Sequence, residues 1–293
     1  MSTTPDAFDP VVLAREIGQR YIDYLKTTFA FRDPDLRRSF ETALDQGTLT
    51  DGPWLESTPV FRRTCETREL LRDIAGPDVD PGLEAALDPT RRLYAHQEQA
   101  IRRLASGRNV IVATGTGSGK TEGFLYPVLL DLYRHPRSAP GVRALILYPM
   151  NALANDQRRR LGDIAEALER RGSPFRFTFG RYTGETPEDK TDSRRNASHH
   201  IREKRPGELV LRSEMRQAPP DILLTNYSML EYLLLRPDDS PLFDDCRGAT
   251  WRFLILDEAH QYGGTKGLEM AMLVRRLKQR LRDGDSKGLV LRP

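Results

Sequence analysis

The stretch NVIVATGTGSGKTEGFLYPVLLDLY, residues 109–133, decides the fold. A short apolar run, 109–113, leads into a glycine-rich turn and then into an apolar helical pattern. Glycines at 115, 117 and 119 let the backbone curl so that several N–H groups face one point. The start of the following helix adds its free amides and the positive end of its dipole there. Lys120 then stands where a cation reaches the outer phosphates of a bound nucleotide, and the Thr121 hydroxyl where it can ligate Mg²⁺. Thr114 occupies the position at which the general phosphate-loop pattern has Gly or Ala, and Gly115 and Gly117 supply the freedom it lacks.

Outward from this loop, apolar runs recur at 144–148 (ALILY), 175–179 (FRFTF), 221–225 (DILLT) and 253–256 (FLIL). Helical patterns separate them at 120–134, 151–171, 227–235 and 265–282. In the last of these, Leu273, Leu277 and Leu281 share a core-facing stripe while the basic residues face water. Short doubly apolar strands alternating with helices predict an α/β fold, a parallel sheet with helices on both faces in three layers. Ligands of such sheets sit at the carboxyl ends of the strands. The charged stretch 187–219 shows little periodicity and reads as a mobile surface insertion.

The first ninety residues read differently, as a mainly helical N-terminal extension. Val12, Ile17, Tyr21, Ile22, Leu25 and Phe29 predict an amphipathic helix over 10–30, with further helices at 34–44 and 64–74. Residues 46–60 read as a loop, and the Pro-, Asp- and Gly-rich stretch 75–90 as a linker. The expected domains are therefore 1–90 and 91–293.

Composition narrows the function classes. Of 293 residues, 38% are hydrophobic and 30% charged, so a packed core is expected rather than wholesale disorder. No apolar run approaches the ~18 residues of a membrane span, and the opening MSTTPDAFDP has no apolar core of a secretory signal. A cytoplasmic protein without a membrane partner is expected. Cys65 and Cys246 lie too far apart in sequence for a zinc pattern or a disulfide framework, and His199-His200 has no spaced partner. Residues 1–90 hold 10 Lys+Arg against 17 Asp+Glu, leaving 35 against 25 in the rest. The basic second part either faces an anionic partner or is a solvated charged surface.

The second chemical signal is Asp257-Glu258-Ala259-His260, directly after FLIL. Two acids ending a buried strand are costly unless they serve a cation. Alone, such a pair also occurs in helix caps and turns. Beside a phosphate loop it reads as Asp257 holding Mg²⁺ and Glu258 orienting an attacking water.

Taken together, ATGTGSGKT (113–121) and DEAH (257–260) resemble superfamily 2 helicases of the DEAD/DEAH-box type. The resemblance implies a RecA-like P-loop NTPase domain using ATP and Mg²⁺. It implies nucleotide contacts from Thr114, Gly115, Thr116, Gly117, Ser118, Gly119, Lys120 and Thr121, catalysis by Lys120, Asp257 and Glu258, and metal ligation by Thr121 and Asp257. LYAHQEQAI (93–101) resembles the family's adenine-recognition element, which implies Gln97 on the adenine edge with Tyr94 packed on the ring; the residues alone leave Gln97 equally at home on a solvated helix face. YPMNALANDQ (148–157), RYTGET (181–186) and LLTNYSMLEYL (223–233) resemble its nucleic-acid motifs. They imply contacts from Pro149, Asn151, Thr183, Gly184, Thr225 and Asn226 to one strand's sugar–phosphate backbone. Asn and Thr also favour helix caps at such places.

The implied partner is nucleic acid, DNA ahead of RNA. The best likeness is to the N-terminal part of large bacterial helicases, some of them in genome maintenance or phage defence. Only 36 residues follow Asp257, without a Ser-Ala-Thr motif. A second RecA-like domain of about 150 residues does not fit there, so the sequence reads as the front of a longer protein, either a truncated piece or a split-gene product whose partner chain carries that domain. The alternative is a catalytically weak module that binds nucleic acid or a partner.

Overall fold

The computed structural model describes residues 9–47, 49, 52, 60–115, 117–136, 139–244 and 247–283. The chain divides into two compact units, 1–60 and 61–293. In the first unit, α1 (Pro10–Thr28) and α2 (Pro34–Gln46) each start at a proline behind an aspartate cap. Asp9 accepts from the Val11 and Val12 amides, and Asp33 from those of Asp35 and Leu36. Lys26 pairs with Asp45 at 2.7 Å, and the Phe31 and Phe40 rings meet edge-on at 5.2 Å. Val12, Ile17, Tyr21 and Phe29 are about half exposed in this structure. Most of the predicted loop 46–60 lies outside the described residues.

The second unit opens with β1 (Arg63–Glu66), α3 (Thr67–Ala75), α4 (Pro81–Ala86) and β2 (Arg92–Tyr94), followed by α5 (Ala95–Ala105) and α6 (Lys120–Arg134). β1 and β2 form an antiparallel pair. Then come β3 (Ala144–Tyr148), α7 (Asn151–Arg170), β4 (Phe179–Arg181), α8 (Ala197–Arg202), β5 (Glu208–Leu209), α9 (Arg212–Gln217) and β6 (Ile222–Asn226). α10 (Tyr227–Leu235), β7 (Phe253–Leu256) and α11 (Gly264–Asp283) complete it. Five strands build one parallel sheet in the order β5-β4-β6-β3-β7.

The alternation of β3 explains the layers. Ala144, Ile146 and Tyr148 point into a core shared with α6 and α7. Leu145 and Leu147 point into a second core, with Leu230 and Leu233 of α10 and Leu273, Leu277 and Leu281 of α11. Both faces are dry, which is why the strand reads as an unbroken apolar run. The α/β architecture is thus the one expected: a three-layer, RecA-like parallel sheet. Among the described residues, no helix is long and apolar enough to cross a membrane.

Four expectations differ. The unit boundary falls thirty residues before the predicted one, because 75–90 is not a linker: Val79, Leu83 and Leu87 are buried in the α6 core, as are Leu70 and Leu71 of the helix before it. The run 109–113 is not a strand. The described sheet stops at β7 and gives this run neither ladder nor cover, so Ile111 is 94% exposed. The FRFTF run keeps its alternation, with Phe175, Phe177 and Phe179 all buried, but ladder bonding begins only at Phe179 beside β5. The insertion 187–219 is folded: it supplies β5, α8 and α9, and buries Ala197, Val210, Leu211 and Met215. Cys246 lies outside the described residues.

Candidate functional site

The phosphate loop leads straight into α6. Gly117 (φ 72°) and Gly119 (φ 69°) adopt left-handed backbone that side chains resist. At Gly119, the residue before the helix, a Cβ would also come within 2.6 Å of Gln97 Nε2. The loop is braced from inside: Thr114 and Ser118 hydroxyls bond at 2.7 Å, and His96 Nε2 meets the Ser118 carbonyl at 2.9 Å. Lys120 Nζ donates to the Thr114 carbonyl at 3.1 Å, so its ammonium lies across the loop. Thr116 lies outside the described residues.

The second half of the site stands at the carboxyl end of β7. The Asp257 amide donates to Leu147 O and continues the ladder, and Asp257 Oδ1 accepts from the Glu258 amide at 2.9 Å. Glu258 has φ 49°, a strained setting for a non-glycine residue and a frequent one at functional sites. Its carboxylate lies 3.3 Å from His260 Nδ1. Burial pushes the Asp257 carboxyl up and the neighbouring Glu258 charge adds to this, against the Glu258 amide and the Lys120 ammonium, which lower it. This donor set, a cation, a helix N-terminus and a carboxylate at one spot, suits a Mg²⁺–nucleotide phosphate. Thr121 and Asp257 are the residues that would hold the ion.

Gln97 departs from its expected role. Only 1% exposed, it accepts from the Tyr94 amide at 2.8 Å and donates to the Gly119 carbonyl at 2.7 Å and to Glu122 at 3.3 Å. Both ends of the amide are thus engaged with protein, joining the adenine-type element to the phosphate loop instead of being held out to a base. Tyr94 sits in an aromatic trio with His96 (5.7 Å, stacked) and Phe61 (5.4 Å). Beneath lies Glu122, 3% exposed, bound to Arg91 at 2.7 Å and Arg160 at 2.6 Å. Burial opposes its charge, but Arg160 and Arg91 outweigh this and hold the carboxyl below its usual range.

The expected nucleic-acid residues divide. Pro149, Asn151 and Asn226 line a cavity of about 480 Å³ over the ends of β3, β6 and β7, with Tyr227, Gln261, Tyr262 and Lys266. Asn226 caps α10 through the Met229 amide and donates to Asn151 at 2.9 Å. Gly184 is exposed. Thr183 and Thr225 are corrections: both are 0% exposed. Thr225 donates to the Tyr182 carbonyl at 2.6 Å, and the Thr183 hydroxyl is turned inward. Each serves the loop's packing and offers no outward donor here. The sequence reading missed Phe61, Glu122, Arg160, Gln261, Tyr262 and Lys266. Of these only Glu122, beside the Lys-Thr of the loop, carried a local signal.

Comparison with known proteins agrees with the geometry. The pattern of the family described as "DEAD/DEAH box helicase" matches residues 94–290. Druantia protein DruE of Escherichia coli (strain UMEA 4076-1) is 31% identical, over 91% of this chain and 19% of that protein. The uncharacterized ATP-dependent helicase YprA of Bacillus subtilis (strain 168) is 29% identical, over 77% of this chain and 25% of its own length. The crystal structure of the DUF1998 helicase MrfA bound to DNA superposes with a TM-score of 0.53 at 27% identity, covering 72% of this chain and 26% of that one. The chain thus spans a quarter or less of these curated relatives' length. On the match over residues 94–290, with the phosphate loop and the DEAH strand end in place, the chain belongs to the DEAD/DEAH box helicase family.

Proposed function

We propose that this chain is the ATP- and nucleic-acid-binding half of an ATP-dependent helicase or translocase. Its hydrolysis drives movement only when a second RecA-like domain is supplied. The observation that supports the reading is the pair of motifs at element ends: the glycine-rich loop with Gly117 and Gly119 in left-handed backbone leading into Lys120 at the head of α6, and Asp257-Glu258 directly after β7. On this reading the ATP-binding domain lies in the unit 61–293, residues 1–60 are an accessory region, and the protein works in the cytoplasm.

In the proposed reaction the loop amides and Lys120 bind the β- and γ-phosphates. Thr121 and Asp257 would hold a Mg²⁺ ion, which would supply charge neutralisation at those oxygens. Glu258 orients a water and takes its proton as the water oxygen bonds to the γ-phosphorus. The bond from that phosphorus to the β,γ-bridging oxygen breaks, leaving ADP and inorganic phosphate. Tyr94 packs beside the adenine. Asn151, Gly184 and Asn226 offer neutral donors to strand phosphates, which fix register without reading sequence. The DNA named in the MrfA structure favours DNA over RNA as the partner.

An arginine finger from a second domain is worth roughly 10³–10⁵ in rate, so slow turnover is expected from this chain alone. The test is ATPase rate with and without single-stranded DNA and RNA, beside Glu258→Gln. Strand-stimulated turnover that Glu258→Gln abolishes supports the reading. Turnover indifferent to Glu258→Gln contradicts it.

A further inference from the structure

Glu122 is a carboxylate placed where the proposed chemistry does not use it. It follows Thr121 on the first turn of α6 and is 3% exposed. A charge at that depth is costly unless partners surround it. Its partners come from three separate elements. Arg91 approaches from just before β2, at 2.7 Å, and Gln97 from α5, at 3.3 Å. Arg160 approaches from the middle of α7, at 2.6 Å.

The third partner sets the direction of the argument. α7 is an unbroken helix of 20 residues whose first residue is Asn151. Asn151 opens the 480 Å³ cavity and is tied to Asn226 at 2.9 Å. A continuous set of contacts therefore runs from the Gly119 carbonyl through Gln97 and Glu122 to Arg160, and along a rigid helix to the strand-facing cavity. Each link is a directional hydrogen bond or ion pair, and the helix start of α6 cannot shift without moving Glu122. Neutralising Glu122 alone would not require a partner on α7, since Arg91 already supplies a cation to the same carboxylate oxygen.

We propose that the Glu122–Arg160 pair couples the phosphate loop to the nucleic-acid end of α7, so that filling one site changes affinity at the other. This rests on the functional reading above. Glu122 and Arg160 are positioning residues and touch neither nucleotide nor strand.

The test uses the whole chain and a fluorescent, non-hydrolysable ATP analogue, titrated alone and with saturating single-stranded DNA. Typical coupling between linked sites is about fivefold or more in affinity. For the wild type we expect a ratio of that size. Arg160→Gln brings the ratio to unity while nucleotide and strand each still bind, and Arg160→Lys recovers part of it. Arg91→Gln removes an ion pair from the same oxygen yet keeps the wild-type ratio. Because both arginine side chains are about one-third exposed, 32% and 37%, neither variant leaves a fully buried void. Equal ratios in Arg160→Gln and Arg91→Gln would overturn the relay and leave a purely structural pair. Wild-type binding of both ligands with no coupling would overturn it too, with the functional reading intact. Binding of neither ligand would sink that reading and the relay together.

Discussion

Two segments of the second unit contrast. The run before the phosphate loop lies open, with Ile111 94% exposed. At the β5 end, the charged insertion is locked down. Asp239, 0% exposed, accepts from Tyr182 and from Arg216 at 2.8 Å, while Arg216 also holds Glu188. Arg212 stacks 5.2 Å over the Tyr182 ring and donates to Thr183 O. The apolar, strand-like segment thus leaves Ile111 in water, while the polar, loop-like segment buries Val210, Leu211, Arg212 and Met215. Local hydropathy describes what a segment could bury. Whether it is buried depends on partners elsewhere in the chain.

The largest effect expected from this contrast is at Asp239. Asp239→Ala removes the acceptor for Tyr182 and leaves Arg216 short of a partner, which should cost about 3–5 kcal/mol. Urea unfolding would show it, and a loss below ~1 kcal/mol would mean the insertion is not held by this network.

A smaller, pH-dependent effect is expected at Glu214. Its carboxylate accepts from the Val210 and Leu211 amides and pairs with Lys204 at 2.9 Å. Burial raises this carboxyl, but Lys204 and the two amides overcome that and hold it below its usual range. A depressed folded pKa contributes stability above the unfolded value, about 4.3, and loses it as pH falls through the folded one. The stability gap between wild type and Glu214→Gln should therefore be full at neutral pH and close on acidification. A gap that does not change with pH contradicts this assignment.

The smallest effect is expected at the open segment. Ile111→Ser should change stability by no more than ~0.5 kcal/mol, whereas the buried Leu129→Ala should cost about 2–5 kcal/mol. A large loss at Ile111 would show that the 109–113 run is paired in solution, and the contrast between the two segments would dissolve.

What the sequence made legible follows the same division. β3 and β7 were readable to the residue, because alternating faces of both meet apolar layers. Lys120, Asp257 and Glu258 stood out because phosphate and metal chemistry demands particular side chains at fixed spacing, and the structure sets Lys120 at the start of α6 and Asp257 directly after β7. Helix α4 was obscured by its Pro, Asp and Gly content, although Pro81 and Asp80 are its N-terminal signals. The insertion was obscured because its stabilising partners are remote in sequence: Glu208 with Arg158, and Arg216 with Asp239. The roles of Gln97, Thr183 and Thr225 could not be read from residue type, since an amide or hydroxyl serves a loop carbonyl as well as a ligand. Arg160 was silent for the same reason as the insertion: its significance lies in the buried carboxylate it meets 38 residues away.

The measurement that bears most directly on the central claim is equilibrium binding of a fluorescent ATP analogue to the wild-type chain and to Lys120→Ala, with unfolding curves for both. Lys120 is not core, and its ammonium contacts only the loop's own Thr114 carbonyl among the bonds described. We expect Lys120→Ala to unfold with the wild type and to lose nucleotide binding. A folded Lys120→Ala chain that binds the analogue as well as the wild type would contradict the assignment of this loop as the nucleotide site.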